Sequence, residues 1–184
     1  MAALGKYLIA LVLATATVSI GAMEIRFEDP KEINSWRIVN DGVMGGLSLS
    51  RVEIIDSQLV FSGNVSLKNN GGFASTRRVG LKSPASTEFI RIRVKGDGKT
   101  YKLRLRDSRG WNGIAYSSRF TTEKDTWMEK TFYQSDFTPT KRGRVVPGAP
   151  PLNLNHVSQL GLMISDKQEG LFQIKVKEIE FVAP

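Results

Sequence analysis

Hydrophobic and polar residues alternate with a period of two along most of the chain. Ile25 and Phe27 alternate with charged residues near the start, and Phe172, Ile174 and Val176 do the same near the end. This spacing is typical of strands that bury one face. Many such short segments are separated by Gly, Asn and Pro, and no long helical period follows the first 22 residues. The pattern therefore predicts an all-β protein, a sandwich of two antiparallel sheets.

The clearest local unit runs from Glu88 to Asp107. Its two alternating halves are separated by Gly96-Asp97-Gly98, which predicts a β-hairpin. The polar face of the predicted hairpin carries six cations: Arg91, Arg93, Lys95, Lys102, Arg104 and Arg106. Like charges on paired strands repel, so this face predicts an anionic partner. A solvated, charge-protected edge and neutralisation by acids of other strands such as Glu129 are the alternatives.

A glycine-rich loop is predicted between two strands at Trp36 to Ser50. In this loop Asp41 is expected to hydrogen-bond the backbone of its own turn. Gly42 is free to take positive φ, and Gly45-Gly46 supplies a second permissive point. The apolar residues change parity between Leu49 and Val52, which predicts a kinked strand with a bulge near Ser50.

The 184 residues fit a single domain preceded by an N-terminal segment. Residues 1–22 are mostly apolar or small, and Lys6 is the only charged residue before Glu24, which predicts a signal peptide, or a membrane anchor if it is not cleaved. The domain at residues 23–184 is then expected to be exported, periplasmic or extracellular. The net charge is +8 at pH 7, and removing Lys6 would leave +7. Such a balance favours a partner with an acidic protein patch, an acidic glycan or an anionic membrane surface, and export argues against nucleic acid.

The residues that common catalytic mechanisms require are missing or unselected. There is no cysteine and only one histidine, His156, which we expect to hydrogen-bond at the start of a strand. No motif pairs two carboxylates, so we predict no enzyme, no catalytic residue and no cofactor. Glu28, Asp29 and Glu180 could supply oxygens to a structural calcium ion, but no Asp-rich loop supports it and no metal ligand is predicted.

Three motifs carry a family resemblance. They are Trp-x-x-x-Asn-Asp-Gly-Val-Met-Gly-Gly-x-Ser at Trp36 to Ser48, Gly-Gly-Phe-Ala-Ser-Thr-Arg at Gly71 to Arg77, and the segment Met163 to Phe172. In this order they resemble the complex I intermediate-associated protein 30 family, over about Ile25 to Val182. The resemblance implies a galactose-binding-like, jelly-roll β-sandwich similar to some carbohydrate-binding modules. It also implies a role like that of eukaryotic members, which assist assembly of respiratory complex I and have no established catalytic residues.

Together these features predict a non-catalytic binding protein that acts on a protein partner as an assembly or scaffolding factor. The alternative is a carbohydrate-binding module for an acidic glycan, with stacking aromatic residues and arginines. For Trp111, capping of the core is a further alternative. The candidate binding residues are Trp36, Asp41, Met44, Arg77, Arg91, Arg93, Arg104, Arg106, Trp111 and Tyr116.

Overall fold

A computed structural model describes residues 23–107 and 113–183. The predicted signal segment at residues 1–22 and the candidate Trp111 lie outside these residues. Within the described ranges, no helix has the length and apolar character that a membrane crossing requires.

The described chain consists of strands and short 3-10 helices. The strands are β1 (Met23–Arg26), β2 (Trp36–Ile38), β3 (Leu49–Ile55), β4 (Gln58–Val65), β5 (Ala74–Arg78), β6 (Phe89–Lys95), β7 (Thr100–Arg106), β8 (Ala115–Thr121), β9 (Trp127–Tyr133), β10 (Thr138–Lys141), β11 (Arg144–Val145), β12 (Gln159–Ile164) and β13 (Gly170–Val182). The 3-10 helices are Pro30–Ser35, Asp41–Met44, Lys68–Asn70, Gln134–Asp136 and Leu154–His156.

The strands form two antiparallel sheets, which confirms the predicted all-β sandwich. The first sheet has the order β3-β4-β13-β6-β9, and β1 also pairs with β13. The second sheet has the order β11-β10-β8-β7-β12-β5-β2. The inward-facing apolar residues of both sheets share one buried core. Strand β13 is long enough to pair with two strands in succession: its first half pairs with β4 and its second half with β1.

The predicted hairpin is wrong, because β6 belongs to the first sheet and β7 to the second. The chain crosses between the sheets at Gly96 to Lys99. Asp97 holds this crossing: its carboxylate accepts hydrogen bonds from the Tyr101 hydroxyl (2.9 Å) and the backbone N–H of Gln173 (2.9 Å), one in each sheet. The apolar residues of both strands still face inward, because β6 and β7 lie on opposite sides of one core. The six cations are therefore divided between two opposite outer faces.

The predicted bulge near Ser50 is also wrong. Strand β3 pairs with β4 in continuous register from Leu49 to Ile55. The parity change arises because Leu49 points outward and is 73% exposed, while Val52 packs against the core. The register shift of the first sheet lies instead in β13, between Val176 and Glu178.

Candidate functional site

Asp41 joins the two glycine-rich loops at one end of the sandwich. Its buried carboxylate accepts hydrogen bonds from the backbone N–H and the hydroxyl of Ser48, and from the backbone N–H groups of Gly72 (2.7 Å) and Phe73 (3.2 Å). Its partners lie across the loops and not in its own turn, contrary to the prediction. One side chain therefore fixes the loop before β3 against the loop before β5.

Two glycines leave room for this carboxylate. A Cβ atom at Gly46 would meet the Asp41 side chain, and one at Gly71 would meet Asp41 Oδ2 and the Ser66 carbonyl. Of the two permissive points expected from the sequence, Gly45 takes positive φ (φ +88°), where the 3-10 helix ends, and Gly42 does not. The glycines of both motifs therefore shape a socket for Asp41.

The hydrogen bonds also set the ionisation of Asp41. Burial would raise the pKa of this carboxyl, but the bonds from Ser48, Gly72 and Phe73 outweigh burial and lower the pKa below its usual value. The carboxylate form is thus the one that the two loops bind.

Exposed apolar side chains lie on the loop that carries Asp41 and on the outer face of the first sheet. Leu49 of β3 and Leu171 of β13 both pair with Asn64 of β4, so they lie in one row, roughly 10 Å apart across the outer face of the first sheet. The loop leading into β3 adds the others. The exposed fractions are 76% for Val43, 62% for Met44, 53% for Leu47, 73% for Leu49 and 80% for Leu171, and we call these five residues the rim patch.

The rim patch includes Met44 of the predicted binding residues, but sequence reasoning missed its leucines. The sequence did contain a signal for them, since Leu47 and Leu49 differ in parity from Val52 and Ile54, the inward residues of β3. That signal was interpreted as a kink, when it marks apolar residues on the outside.

Two candidate aromatic residues lie inside the protein. Trp36 is buried against Phe27, with ring centroids 6.3 Å apart, and its indole N–H donates to Glu32 (3.2 Å). Tyr116 is buried, and its hydroxyl donates to the Pro150 carbonyl (3.0 Å). Neither ring offers a face on which a ligand could stack, so both residues contribute to the packing of the buried core.

Two candidate arginines on the outer face of the first sheet stand beside the protein's own acids. Arg91 lies 3.5 Å from a carboxylate oxygen of Glu129 and 3.4 Å from one of Glu180. Arg93 is exposed and stands in register between Glu129 and Glu178. The protein's own acids therefore accompany these two candidates, as the neutralisation alternative predicted for Arg91, and the two do not join the other arginines.

The remaining candidate arginines meet on the outer face of the second sheet. Arg77 of β5 and Arg104 of β7 are both in register with Gly161 of β12, which lies between them. Arg106 is in register with the next outward residue of β12, Gln159. We call Arg77, Arg104 and Arg106 the arginine cluster.

Burial and mutual repulsion act on the cluster. Burial, followed by repulsion from Arg106 and Arg104, lowers the pKa of Arg77 to about 10. Burial and repulsion from Arg106 lower the pKa of Arg104 to about 10, and burial lowers the pKa of Arg106. By contrast, Lys102 (2.8 Å) and Arg119 (3.0 Å) share the carboxylate of Asp166 on the same face.

Three carboxylates converge where β1 meets β13. Oxygens of Glu24, Glu178 and Glu180 lie within 4.8 Å of one another. Of the residues considered for calcium, only Glu180 belongs to this group. Arg26 contacts Glu24 and lies 3.8 Å from Glu178, and Arg91 approaches Glu180, so cationic side chains already accompany the three acids.

His156 ends the last 3-10 helix, directly before β12, and its Nδ1 lies 3.2 Å from the side-chain nitrogen of Asn153. The position agrees with the predicted hydrogen bond at the start of a strand. Such a contact orients the imidazole locally and supplies neither a nucleophile nor an acid partner.

Comparison with known proteins gives a family match over most of the described chain. The pattern of the family described as Complex I intermediate-associated protein 30 matches residues 25–176. A relative from Caenorhabditis elegans, named a probable mitochondrial complex I intermediate-associated protein 30, is 25% identical over 179 residues, covering 85% of this chain and 53% of the relative. The mouse protein of that name is 23% identical, covering 85% and 54%. The chain thus spans about half the length of these relatives.

A solved structure shares the fold. It is the family 11 carbohydrate-binding module of the cellulosomal cellulase Lic26A-Cel5E of Clostridium thermocellum, with a TM-score of 0.66 and 13% identity, covering 88% of this chain and 95% of the module. At this identity the likeness concerns the fold alone, and it confirms the galactose-binding-like architecture expected from the resemblance.

The relatives correct the expected localisation. Both are named mitochondrial proteins, which contradicts the prediction of an exported, periplasmic or extracellular protein, anchored or free. An apolar N-terminal segment with a single lysine was insufficient to predict the compartment.

Proposed function

Because this chain belongs to the complex I intermediate-associated protein 30 family, we propose that it is a non-catalytic assembly factor that binds a subunit of respiratory complex I through the rim patch. The names of the relatives support a protein partner of this kind. We further propose that residues 23–184 act as one binding domain, since both sheets contribute to a single core.

The rim patch is the observation that carries this proposal. Its five large apolar side chains are all more than half exposed. Soluble proteins rarely leave a contiguous apolar patch uncovered, and such patches mark sites of protein contact. Met44 adds an unbranched, adaptable side chain that can follow the shape of a partner.

The loop that carries part of the rim patch is held in place within the free protein, and this favours binding. Asp41 fixes the loop that carries Val43 and Met44 before any partner arrives. A surface ordered in advance loses less conformational entropy on association, so more of the contact energy remains as affinity.

The carbohydrate alternative receives support from the fold only. Binding of a sugar ring commonly uses an exposed aromatic face. Of the three candidate aromatics, Trp36 and Tyr116 are buried, and Trp111 lies outside the described residues. We therefore propose the protein partner and use glycans as a comparison in the test.

The test is affinity capture from detergent-solubilised mitochondrial membranes with the tagged chain. We expect stoichiometric capture of a complex I subunit by the wild-type chain and its loss in the double variant Leu49→Ser, Leu171→Ser. Val145→Ser is the matched control, because Val145 is 62% exposed but lies on β11 of the other sheet. Capture that survives the rim variant, or binding to a glycan array with no captured subunit, would contradict the proposal.

A further inference from the structure

We propose that the arginine cluster is a carboxylate-binding pocket that receives an acidic side chain of the partner protein. The site is separate from the rim patch, which lies on the outer face and rim of the first sheet. The inference depends on the proposed function in one respect only, namely that the partner is a protein.

Gly161 creates the pocket. A Cβ atom at Gly161 would meet the Thr76 carbonyl of β5, so this position requires glycine. The missing side chain leaves a gap in the outward row between Arg77 and Arg104, whose strands lie roughly 10 Å apart. The two long side chains thus flank a hollow whose floor is the backbone of β12.

Arg104 carries an unused hydrogen-bond donor in this hollow. Its Nε is buried and has no hydrogen-bond partner, and its Nη1 lies 3.6 Å from the weak acceptor Met163 Sδ. A buried donor without an acceptor costs about 1–3 kcal/mol, more when charged. A carboxylate is the acceptor that best matches the planar fork of a guanidinium.

Two of the three arginines have no ion pair among the described residues. All 18 Asp and Glu residues of the sequence lie in the described ranges, so every side-chain carboxylate of the chain is accounted for. Within those ranges none forms an ion pair with Arg104 or Arg106. The sequence of residues 108–112 contains no acidic residue either. No Asp or Glu of the chain therefore pairs with Arg104 or Arg106.

The size of the pocket favours a carboxylate tip over a bulky ligand. The cavity lined by the three arginines, Ser75, Gln159 and Gly161 has a volume of about 10 Å³. That is about the space of one water molecule, enough for an oxygen atom and too small for a sugar ring. The hydroxyl of Ser75 and the amide of Gln159 add polar groups beside it. An acidic side chain, held in place by the peptide around it, can place one oxygen there.

The direct test is fluorescence anisotropy with a labelled oligoglutamate peptide. Two single variants are compared, and each removes one positive charge. Arg104→Gln removes it from the arginine cluster, and Arg93→Gln removes it from the exposed face of the first sheet. Losing a hydrogen bond to a charged group is expected to weaken binding about tenfold for Arg104→Gln. Arg93→Gln is expected to change it less than about twofold, because a distant surface charge is screened by salt.

Equal weakening by both variants would overturn the proposal, since only net charge would then matter. The proposal would also be overturned if the peptide fails to bind while vesicles of phosphatidylcholine with anionic cardiolipin bind in an Arg104-dependent way. That result would assign the arginine cluster to lipid binding. Oligoglutamate should also raise the melting temperature of the wild-type chain more than that of Arg104→Gln. This second readout keeps the test valid if a variant folds poorly.

The outcome is distinguishable from that of the proposed function. Capture of a complex I subunit that is indifferent to Arg104→Gln but lost in the rim variant would leave the function standing and overturn the pocket. Arg104-dependent binding of oligoglutamate without any captured subunit would support the pocket's chemistry and contradict the assembly role.

Discussion

Asp41 is the residue on which the rim loops depend. Replacing it with Ala leaves the buried N–H groups of Gly72, Phe73 and Ser48 without their acceptor. We expect Asp41→Ala to lower the free energy of unfolding by about 3 kcal/mol, measured by urea denaturation. Glu123→Ala, at an exposed acid, is the control. A loss no larger than that of the control would contradict the role of Asp41.

The same carboxylate makes a pH prediction. Its folded pKa lies below the unfolded value because hydrogen bonds outweigh the effect of burial. Such a group contributes stability that is present above the unfolded pKa, about 3.9, and is lost as the pH falls through the folded pKa. The stability difference between wild type and Asp41→Asn should therefore shrink below about pH 4. A difference that stays constant down to pH 2 would show that ionised Asp41 is not what the loops bind.

Arg104 makes the opposite prediction, because it is half-buried beside like charge. A cation with a lowered folded pKa destabilises the fold while it is charged, so the cost is present at neutral pH and fades as the pH rises through about 10. We expect Arg104→Met to raise the unfolding free energy at pH 7 by about 1 kcal/mol, and by less above pH 10. Thermal unfolding at both pH values measures this. Destabilisation at pH 7 would mean that the guanidinium is satisfied within the fold.

At the scale of elements, the crossing from β6 to β7 depends on Asp97. Three groups donate to its carboxylate: the Tyr101 hydroxyl, the Gln173 N–H and the Lys99 N–H (3.1 Å). Asp97→Ala should cost about 2 kcal/mol, whereas Tyr101→Phe, which removes one of the three bonds, should cost about 1 kcal/mol. Chemical denaturation of the two variants measures the difference. Equal costs would mean that the carboxylate does not join the two sheets.

The strands also show what the sequence can predict. Alternation identified the inward faces of β6 and β7 correctly, because burial depends only on parity. It did not identify their partners, since a hairpin and a crossing between sheets bury the same residues. The choice is made by long-range bonds such as that from Gln173 to Asp97, which no local pattern contains. Likewise, the family motifs marked Asp41 and Gly72 separately, but not the hydrogen bond that joins them.

At the scale of the whole molecule, the two outer faces differ in charge balance. Acids accompany the arginines of the first sheet, as Glu129 and Glu180 do Arg91. On the second sheet Asp166 pairs with Lys102 and Arg119, while no acid in the described part of the chain forms an ion pair with Arg104 or Arg106. The formal charge of +8 predicted an anionic partner without giving its location, because composition holds no information on which acids fold back onto which cations.

Hydrogen–deuterium exchange of the chain, alone and bound to the captured complex I subunit, tests the central claim most directly. We predict that binding slows exchange in the rim at residues 43–49 and at the start of β13, with further protection around Arg104. Protection confined to β6 and β9 on the outer face of the first sheet, with the rim unchanged, would contradict the account.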